Sequence, residues 1–184
     1  GNGTYNTDGT DQAVAHSAAN GTTVTYPIKL QNDGNLSDRF KVTGPAGTSD
    51  WQVQYLLHAD ATDITSSVTG SGWTSATLAM GAEVALDLKV TPLTGADGNE
   101  VHSVLLTAAS VASSSKKDAV KADTTCTPAY QPDLLIQDGA ADLGGGTYNT
   151  DGSGQSVART VDTGVASTYP IKLQNDGNIA DQYK

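Results

Sequence analysis

Hydrophobic and polar side chains alternate along several short stretches of the chain. At residues 23–31 the even-numbered positions are apolar and most odd-numbered ones are polar, a period of two that is typical of a β-strand with one buried face. We therefore predict a strand here, and its buried face carries Val24, Tyr26, Ile28 and Leu30. Because Pro27 has no backbone N–H to donate, its nitrogen should lie at a sheet edge or a bulge.

The same alternation recurs at 51–55 and 83–90, and it predicts a strand at each. Further stretches rich in β-branched or aromatic residues favour strands at 40–43, 64–69, 101–111, 119–125 and 134–137. Turns rich in Gly, Pro, Asn and Asp separate these stretches. Seven or eight short strands with no helical stretch predict an all-β fold, an antiparallel immunoglobulin-like β-sandwich.

One string, YPIKLQNDGN, occurs at 26–35 and again letter for letter at 169–178. The match extends over residues 3–41 and 146–184 at a constant offset of 143, and 24 of these 39 positions are identical. Self-similarity at a fixed offset indicates tandem repeats, and a period of this length corresponds to a whole domain. We predict about one and a third repeats, cut from a longer array.

A short spacer with two prolines lies between the predicted repeats, at 127–132, where proline makes the chain stiff. The predicted domains are therefore 1–128 and 129–184. The next five residues read as the first strand of the second repeat; they are Asp133, Leu134, Leu135, Ile136 and Gln137. Since domain 1–128 lacks its own copy of this strand, we predict an open sheet edge that the strand of another copy fills.

Charge excludes some partners. Ten Lys and Arg residues stand against twenty Asp and Glu residues, giving a net charge of −10, whereas nucleic acids and anionic membranes bind basic surfaces. No apolar stretch is long enough to predict membrane insertion. Cys126 is the only cysteine, so no disulfide is expected within the chain.

No sequence motif for catalysis is present. The nucleophile elbow, the zinc-protease helix, the Walker loop and paired CxxC motifs are all absent from the sequence. The three histidines His16, His58 and His102 have no paired nucleophile, and His16 is replaced by Arg159 in the second copy. We therefore predict that the chain is not an enzyme and that it carries no cofactor, with calcium as the one candidate ligand.

Calcium is suggested by the turn after the first copy of the repeated strand. Asp33, Asn35 and Asp38 place oxygen donors around Gly34, and calcium binds six to eight oxygens. The spacing differs from an EF-hand loop, which closes with a glutamate. The alternative is a purely structural turn, in which Asn and Asp bond to their own backbone and glycine takes a conformation that other residues avoid.

Carbohydrate is a second candidate ligand, with two tryptophans to consider. Trp51 begins an alternating stretch and is expected in the core, whereas Trp73 follows a Gly-Ser-Gly turn and is the candidate for an exposed stacking surface. Sequons begin at Asn2, Asn20 and Asn35, but none is kept in the second copy. We therefore interpret the sequons as chance occurrences.

Several strings together carry a family resemblance: PDLLIQ, GTYNTDG, YPIKLQNDGN, KVTGPAG, WQVQY, EVALDLKVTP and LLTAASV. In this order they resemble the tandem immunoglobulin-like, cell-adhesion-related-domain-like repeats of large bacterial extracellular surface proteins. The resemblance implies a β-sandwich fold and an extracellular or cell-surface location. It supplies no catalytic residues.

Two functional hypotheses remain. In the first, the repeats are structural units of an extracellular fibre, stalk or surface layer that join copies of themselves head to tail, by strand complementation or tandem linkage. In the second, they are adhesive modules that bind carbohydrate or a host surface. The scarcity of aromatic residues, 5% of the chain, favours the first hypothesis.

Overall fold

The chain divides into two units, Gly1–Thr127 and Pro128–Lys184. A computed structural model describes residues 3–184 of the sequence. The elements of the first unit are β1 (Ala13–Ala18), β2 (Val24–Gln31), β3 (Phe40–Thr43), β4 (Trp51–Leu57), α1 (Thr65–Thr69), β5 (Trp73–Thr74), β6 (Glu83–Pro92), β7 (Val101–Ser110) and β8 (Lys117–Cys126). Those of the second unit are β9 (Pro132–Asp138), β10 (Ala141–Leu143) and β11 (Ile171–Asn175).

Two sheets build the first unit. Their strand orders are β1-β8-β7-β3-β5 and β2-β6-β4. All neighbours pair antiparallel except β1 and β8, which run parallel. This order, with strands from both halves of the unit in each sheet, defines an immunoglobulin-like β-sandwich. The predicted all-β sandwich of seven to eight strands is confirmed.

Apolar side chains from both sheets form the core of the first unit. Its largest fully buried apolar members are Trp51, Tyr55, Leu86, Leu88, Val42, Val68, Val90 and Val104. On β2 the predicted inward face is observed, since Tyr26 and Leu30 are buried and Val24 and Ile28 are half-buried against the core. Pro27 lies on an edge strand, because β2 has β6 as its one strand neighbour among the described residues.

The predicted strand at 64–69 is wrong, because Thr65–Thr69 forms the short helix α1. Its β-branched residues favoured a strand, but the Asp63 carboxylate accepts the backbone N–H of Thr65 at 2.8 Å, a local bond that turns the chain. The helix buries Val68 in the core. Tertiary packing therefore outweighs the strand propensity of this segment.

The second unit is a three-stranded sheet of order β10-β9-β11. Of its residues, Asp133 and Leu135 are buried. Leu134, Ile171 and Leu173 are more than half exposed, although Ile171 and Leu173 are the copies of Ile28 and Leu30 in the first unit. In the described residues of the second unit, no facing sheet covers this apolar side.

None of the helices described in the structure is long and apolar enough to cross a membrane.

Candidate functional site

The turn after β2 is organised by Asn32, which is buried with 1% of its surface exposed. Its Nδ2 donates to the carbonyl oxygens of Leu36 and Leu78 at 2.9 and 2.8 Å. Its Oδ1 accepts the backbone N–H of Gly34 at 3.0 Å. One buried amide therefore closes the turn on itself and ties it to the chain before β6, which accounts for an asparagine at this position.

The second copy of the turn keeps two of these three bonds. Asn175 Nδ2 donates to the carbonyl oxygen of Ile179 at 2.8 Å, and its Oδ1 accepts the N–H of Gly177 at 3.0 Å. The repeated sequence therefore folds into the same local structure in both units.

A tyrosine supports each copy of the turn from the preceding loop. The hydroxyl of Tyr5 donates to Asp33 at 3.0 Å, and that of Tyr148 donates to Asp176 at 2.8 Å. The pKa of each tyrosine is raised, first because its hydroxyl is bonded to the carboxylate and then because of burial and the negative charge nearby. The segment before β1 that carries Tyr5 and the turn after β2 thus form one structural element, which recurs around Tyr148 and Asp176.

The three residues predicted to bind calcium lie on this turn, but the side chains of the two carboxylates accept protein donors. Asp33 accepts the Tyr5 hydroxyl. Asp38 accepts the Ser110 hydroxyl and the backbone N–H groups of Arg39 and Ala112, the last two at 2.7 and 3.2 Å. Among residues 3–184 no group of three His, Cys, Asp or Glu side chains is arranged to hold a metal ion. Calcium binding at Asp33, Asn35 and Asp38 stays a prediction.

These bonds also set the acidity of Asp38. The Ser110 hydroxyl is the largest cause that holds the pKa of Asp38 below its usual range, followed by the backbone N–H groups of Arg39 and Ala112, while burial acts in the opposite direction. The carboxylate therefore links the turn to the end of β7.

One edge of β2 faces no strand in the first unit. The N–H of Asn32 donates to Ala82 and its carbonyl oxygen accepts Gly81, at 2.9 and 2.8 Å, so the even-numbered residues of β2 direct their backbone groups toward β6. Because these directions alternate along a strand, the odd-numbered residues Lys29 and Gln31 direct theirs toward the opposite edge. No strand among residues 3–184 lies there.

In the second unit, β9 occupies the equivalent edge. Strand β11 is the copy of residues 28–32, and β9 pairs with it antiparallel. The N–H of Gln137 donates to the carbonyl of Pro170 at 3.0 Å, and the N–H of Asp176 donates to that of Gln131 at 2.8 Å. Pro170 and Asp176 are the copies of Pro27 and Asp33, which belong to the open edge of β2.

The chain before β9 also contacts the repeated turn. The N–H of Asn178 donates to the carbonyl of Ala129 at 3.1 Å, and its side-chain Oδ1 accepts the N–H of Ala129 at 2.7 Å. Asn178 is the copy of Asn35. In the second unit this asparagine therefore holds the backbone of the strand that enters the sheet.

The chain before β9 also passes close to a glycine in the turn. A Cβ on Gly177 would lie 2.2 Å from the carbonyl oxygen of Ala129, whereas one on Gly34 would meet nothing closer than the Asn32 side chain at 3.1 Å. Neither glycine has a positive φ, so the expectation that Gly34 supplies a special backbone angle is wrong. Glycine is required in the second copy because another backbone passes close to it.

The other edge of the β2-β6-β4 sheet is covered by its own chain. Tyr55 in β4 accepts the N–H of Ile64 at 2.9 Å, and its N–H donates to the Thr65 hydroxyl at 2.9 Å. The N–H of Leu57 donates to Thr62 at 2.9 Å. Covered edges are the usual protection against pairing with other chains, so β2 presents the uncovered edge of this sheet.

The candidate ligand-binding aromatics are not exposed platforms. Trp51 is buried, as predicted; its indole N–H donates to Glu100 at 2.8 Å, and its ring stacks on that of His102 with centroids 5.1 Å apart. Burial is the main cause that lowers the pKa of His102, and Glu100 opposes it. Trp73 is half-buried in β5 against the core.

His16, His58 and the sequon at Asn20 lie apart from the repeated turn, whereas the sequon at Asn35 begins within it. His58 contacts Asp87 at 3.0 Å, and His16 packs beside Tyr26. The side chain of Asn20 donates to the carbonyl oxygens of Leu93 and Ala96, bonds that a glycan would break. Asn2 lies outside the described residues.

Sequence reasoning missed the buried role of Asn32 and the contacts that Gly177 and Asn178 make with the chain before β9. The available signal was that the string YPIKLQNDGN extends beyond the alternating strand, which ends at Gln31, and that its last four residues are kept as strictly as the strand.

Comparison with known proteins defines no family. No protein family matches the chain, and no curated protein sequence matches it. Among solved structures, BcpA, the major pilin subunit of Bacillus cereus, is similar over 90% of this chain and 52% of its own, with 11% identity and a TM-score of 0.44. This chain thus spans about half the length of that pilin.

Two further solved structures have weaker similarity. The ASH/PapD-like domain 7 of human CEP192 matches 62% of this chain and 80% of its own, at 9% identity and a TM-score of 0.39. A chaperone–tip adhesin complex of CFA/I fimbriae matches 90% of this chain and 64% of its own, at 10% identity and a TM-score of 0.32. Similarity at this level assigns the chain to no family and no activity.

Proposed function

We propose that the chain is a structural repeat unit of an extracellular bacterial fibre, stalk or surface layer, and that its partners are other copies of the same repeat. The observation that carries the proposal is the second copy of the repeated segment. Its Gly177 N–H donates to Asn175 as the Gly34 N–H donates to Asn32, and it follows a short proline-containing spacer in the sequence. Two like modules in one chain are the minimal element of an array.

The character of the surfaces supports a structural role. The core of the first unit is filled by side chains, and a surface pocket of about 510 Å³ is lined by Ala180, Asp181 and Gln182. Ligand sites are usually concave, largely apolar and furnished with a few converging polar groups. The assembly strand proposed for this array is Asp133–Gln137.

The adhesive alternative has less support among the described residues. Trp51 is buried and Trp73 is half-buried, which leaves neither indole as an open platform for sugar stacking.

Electron microscopy of the native material tests the proposal. We expect strings or filaments with an axial period of roughly 40–50 Å, since strands of ~7–10 residues rise ~3.4 Å per residue before loops and spacer are added. Isolated particles with no axial repeat would contradict a structural array.

A further inference from the structure

We propose that the edge of β2 that faces no strand among residues 3–184 is an acceptor site for a strand with the sequence of Ala129–Asp138, supplied by a copy of that segment and bound antiparallel. This inference rests on the proposed function and specifies the partner through which the repeats associate. The occupant is identified by what β9 and the residues before it do in the second unit, where the copy of β2 has that strand beside it.

The register follows from the pairing of β9 with β11. In the second unit Ile171 lies opposite Ile136, Lys172 opposite Leu135 and Leu173 opposite Leu134. Subtracting the repeat offset places the incoming Ile136 beside Ile28, Leu135 beside Lys29 and Leu134 beside Leu30. A shift by one residue would turn every incoming side chain to the other face, so the register is part of the proposal.

The side chains suit this register. Ile28 and Leu30 belong to the inward face of β2, which packs on the core. Directly opposed residues of an antiparallel pair lie on the same face, so the incoming Ile136 and Leu134 extend the apolar layer at the rim of the sandwich. Leu134 is 57% exposed in the second unit and would be covered in the acceptor site.

The polar groups of the acceptor are also in place. By analogy with Pro170 and Asp176, the carbonyl of Pro27 would accept the N–H of the incoming Gln137, and the N–H of Asp33 would donate to the incoming Gln131. Proline suits the first of these positions because only its carbonyl is used. Asn35 would hold the incoming Ala129 as Asn178 does.

Space for the strand exists beside the turn. The clearance around Gly34 corresponds to the place that Ala129 fills near Gly177. The segment before β1 that carries Tyr5 does not block the site. Its copy in the second unit keeps the same bond, from Tyr148 to Asp176, while β9 is paired with β11. In the order of an immunoglobulin-like sandwich, the added strand would complete a four-stranded A-B-E-D sheet from the three strands present.

The test uses the full chain and a synthetic peptide of residues 129–140, followed by amide hydrogen exchange. We expect the peptide to slow exchange at Lys29 and Gln31 by about tenfold or more, because their N–H groups become bonded to it. Exchange at Ile28 and Leu30 should change little, since their N–H groups already face β6. No added protection at saturating peptide, or protection at β4 in place of β2, would overturn the proposal.

Two matched peptides test the register. Methylation of the backbone nitrogen of Leu135 removes a group that faces the acceptor and should weaken binding on the order of tenfold or more. Methylation at Ile136 alters a nitrogen that faces away and should be tolerated. Equal effects of the two modifications would contradict the proposed register.

A chain variant tests the acceptor side. Gly34→Ala should weaken binding of the peptide, because its Cβ would lie where Ala129 passes beside Gly177. The Cβ would also lie 3.1 Å from the buried Asn32 side chain, so thermal unfolding of the variant is measured to check that the first unit still folds. Gly177→Ala is the control and should leave peptide protection at Lys29 intact. Unweakened binding to Gly34→Ala would count against entry of the strand beside this glycine.

The outcome is separate from that of the proposed function. Filaments without peptide binding would leave the structural role standing and remove this acceptor site. Peptide binding without filaments would support the acceptor site and remove the array.

Discussion

The two copies of the repeated segment, residues 3–41 and 146–184, fold their turns alike but have opposite edges of the repeated strand covered. In the first copy β6 pairs with β2, and the far edge has no strand among the described residues. In the second copy β9 covers the far edge of β11. The other edge of β11, which corresponds to the edge of β2 that pairs with β6, has no strand among the described residues. Each copy therefore shows contacts of the segment that the other lacks.

Paired glycines show the same reciprocity. A Cβ on Gly9 would lie 2.8 Å from the Lys121 side chain in β8, while nothing lies within 4 Å of its copy Gly152. In the turn the situation is reversed, because Gly177 is crowded by the backbone of Ala129 and Gly34 is not. Gly9 and Gly152 both have a positive φ, of 74° and 73°, so the backbone favours glycine there in both copies. In the turn, neither φ is positive, and the contact with Ala129 is what requires glycine at Gly177.

This comparison accounts for why the repeated string continues past the end of the strand into the turn. YPIKLQ supplies the strand with its inward face and its proline, and NDGN supplies a turn that also receives the incoming chain. The physical reason for repetition is therefore that the strand has two hydrogen-bonding edges. One edge pairs within the sandwich, and the other pairs with the added strand.

The largest difference between the copies is expected for matched leucines. Leu30 is 8% exposed and Leu173 is 53% exposed, so Leu30→Ala should lower the free energy of unfolding of the first unit by about 2–4 kcal/mol. Leu173→Ala should cost less than about 1 kcal/mol, because little packing is lost. Chemical denaturation of both variants measures the pair, and equal losses would contradict the difference in burial.

A smaller difference is expected for the turn asparagines. Asn32→Ala removes the donor of the Leu36 carbonyl and one of the two donors of the Leu78 carbonyl, which also accepts the N–H of Asp38 at 3.0 Å, and it should cost about 1–3 kcal/mol. Asn175 is exposed, and among the described residues its Nδ2 donates to the carbonyl of Ile179 alone. Asn175→Ala should therefore cost about 0.5–1 kcal/mol. Thermal unfolding monitored by Trp51 fluorescence follows the first unit, and an unchanged midpoint for Asn32→Ala would remove its role in the turn.

Gly177→Ala tests the contact between the turn and the chain before β9. Its Cβ would collide with the carbonyl oxygen of Ala129, and we expect a local cost of about 1–2 kcal/mol as the bonds to Asp176 and Asn178 open. Faster amide exchange at Ala129 and Asp176 is the measurement. Gly34→Ala serves as the control, and the same disturbance in both variants would mean that the approach of Ala129 is not what requires glycine.

A pH-dependent effect on stability is expected for Asp38. The pKa of Asp38 is lowered from its ordinary value of 3.8, so its contribution to stability is present above that value and is lost as the pH falls through the lower folded pKa. Asp38→Asn should therefore lower the melting temperature above pH 5, and the deficit should shrink toward pH 3. A deficit of equal size at pH 3 and pH 7 would contradict this role of the Asp38 carboxylate.

The smallest effect is expected from chelation. The carboxylates of Asp33 and Asp38 already accept protein donors, so removal of divalent ions should leave the melting temperature within about 1 °C. A clear drop that calcium reverses would instead support the prediction of calcium at Asp33, Asn35 and Asp38.

The sequence predicts the strands that alternate between core and solvent and misses those shaped by distant partners. β2, β4 and β6 are read from their period of two, because each has one face on the core. β1 escapes notice because five of its six residues are exposed and its partner, β8, is far away in the chain. The helix α1 is hidden by its β-branched residues, which favour the wrong element.

The parts of the site that depend on local sequence were predicted, and the parts that depend on distant segments were not. The strand Asp133–Gln137 could be proposed from its run of three apolar residues and its place after the spacer. The buried role of Asn32 and the contact between Ala129 and Asn178 could not, because they depend on segments that meet only in the folded unit. Oxygen-rich composition drew attention to Asp33, Asn35 and Asp38 in their place.

Native-state amide hydrogen exchange on the chain alone tests the central claim most directly, since it compares the two copies in one sample. The account predicts that Ile28 and Leu30 exchange slowly and Lys29 and Gln31 quickly, and that in the second copy the order is reversed, with Lys172 and Gln174 slower than Ile171 and Leu173. Protection of Lys29 and Gln31 equal to that of Ile28 and Leu30 would contradict an open edge on β2.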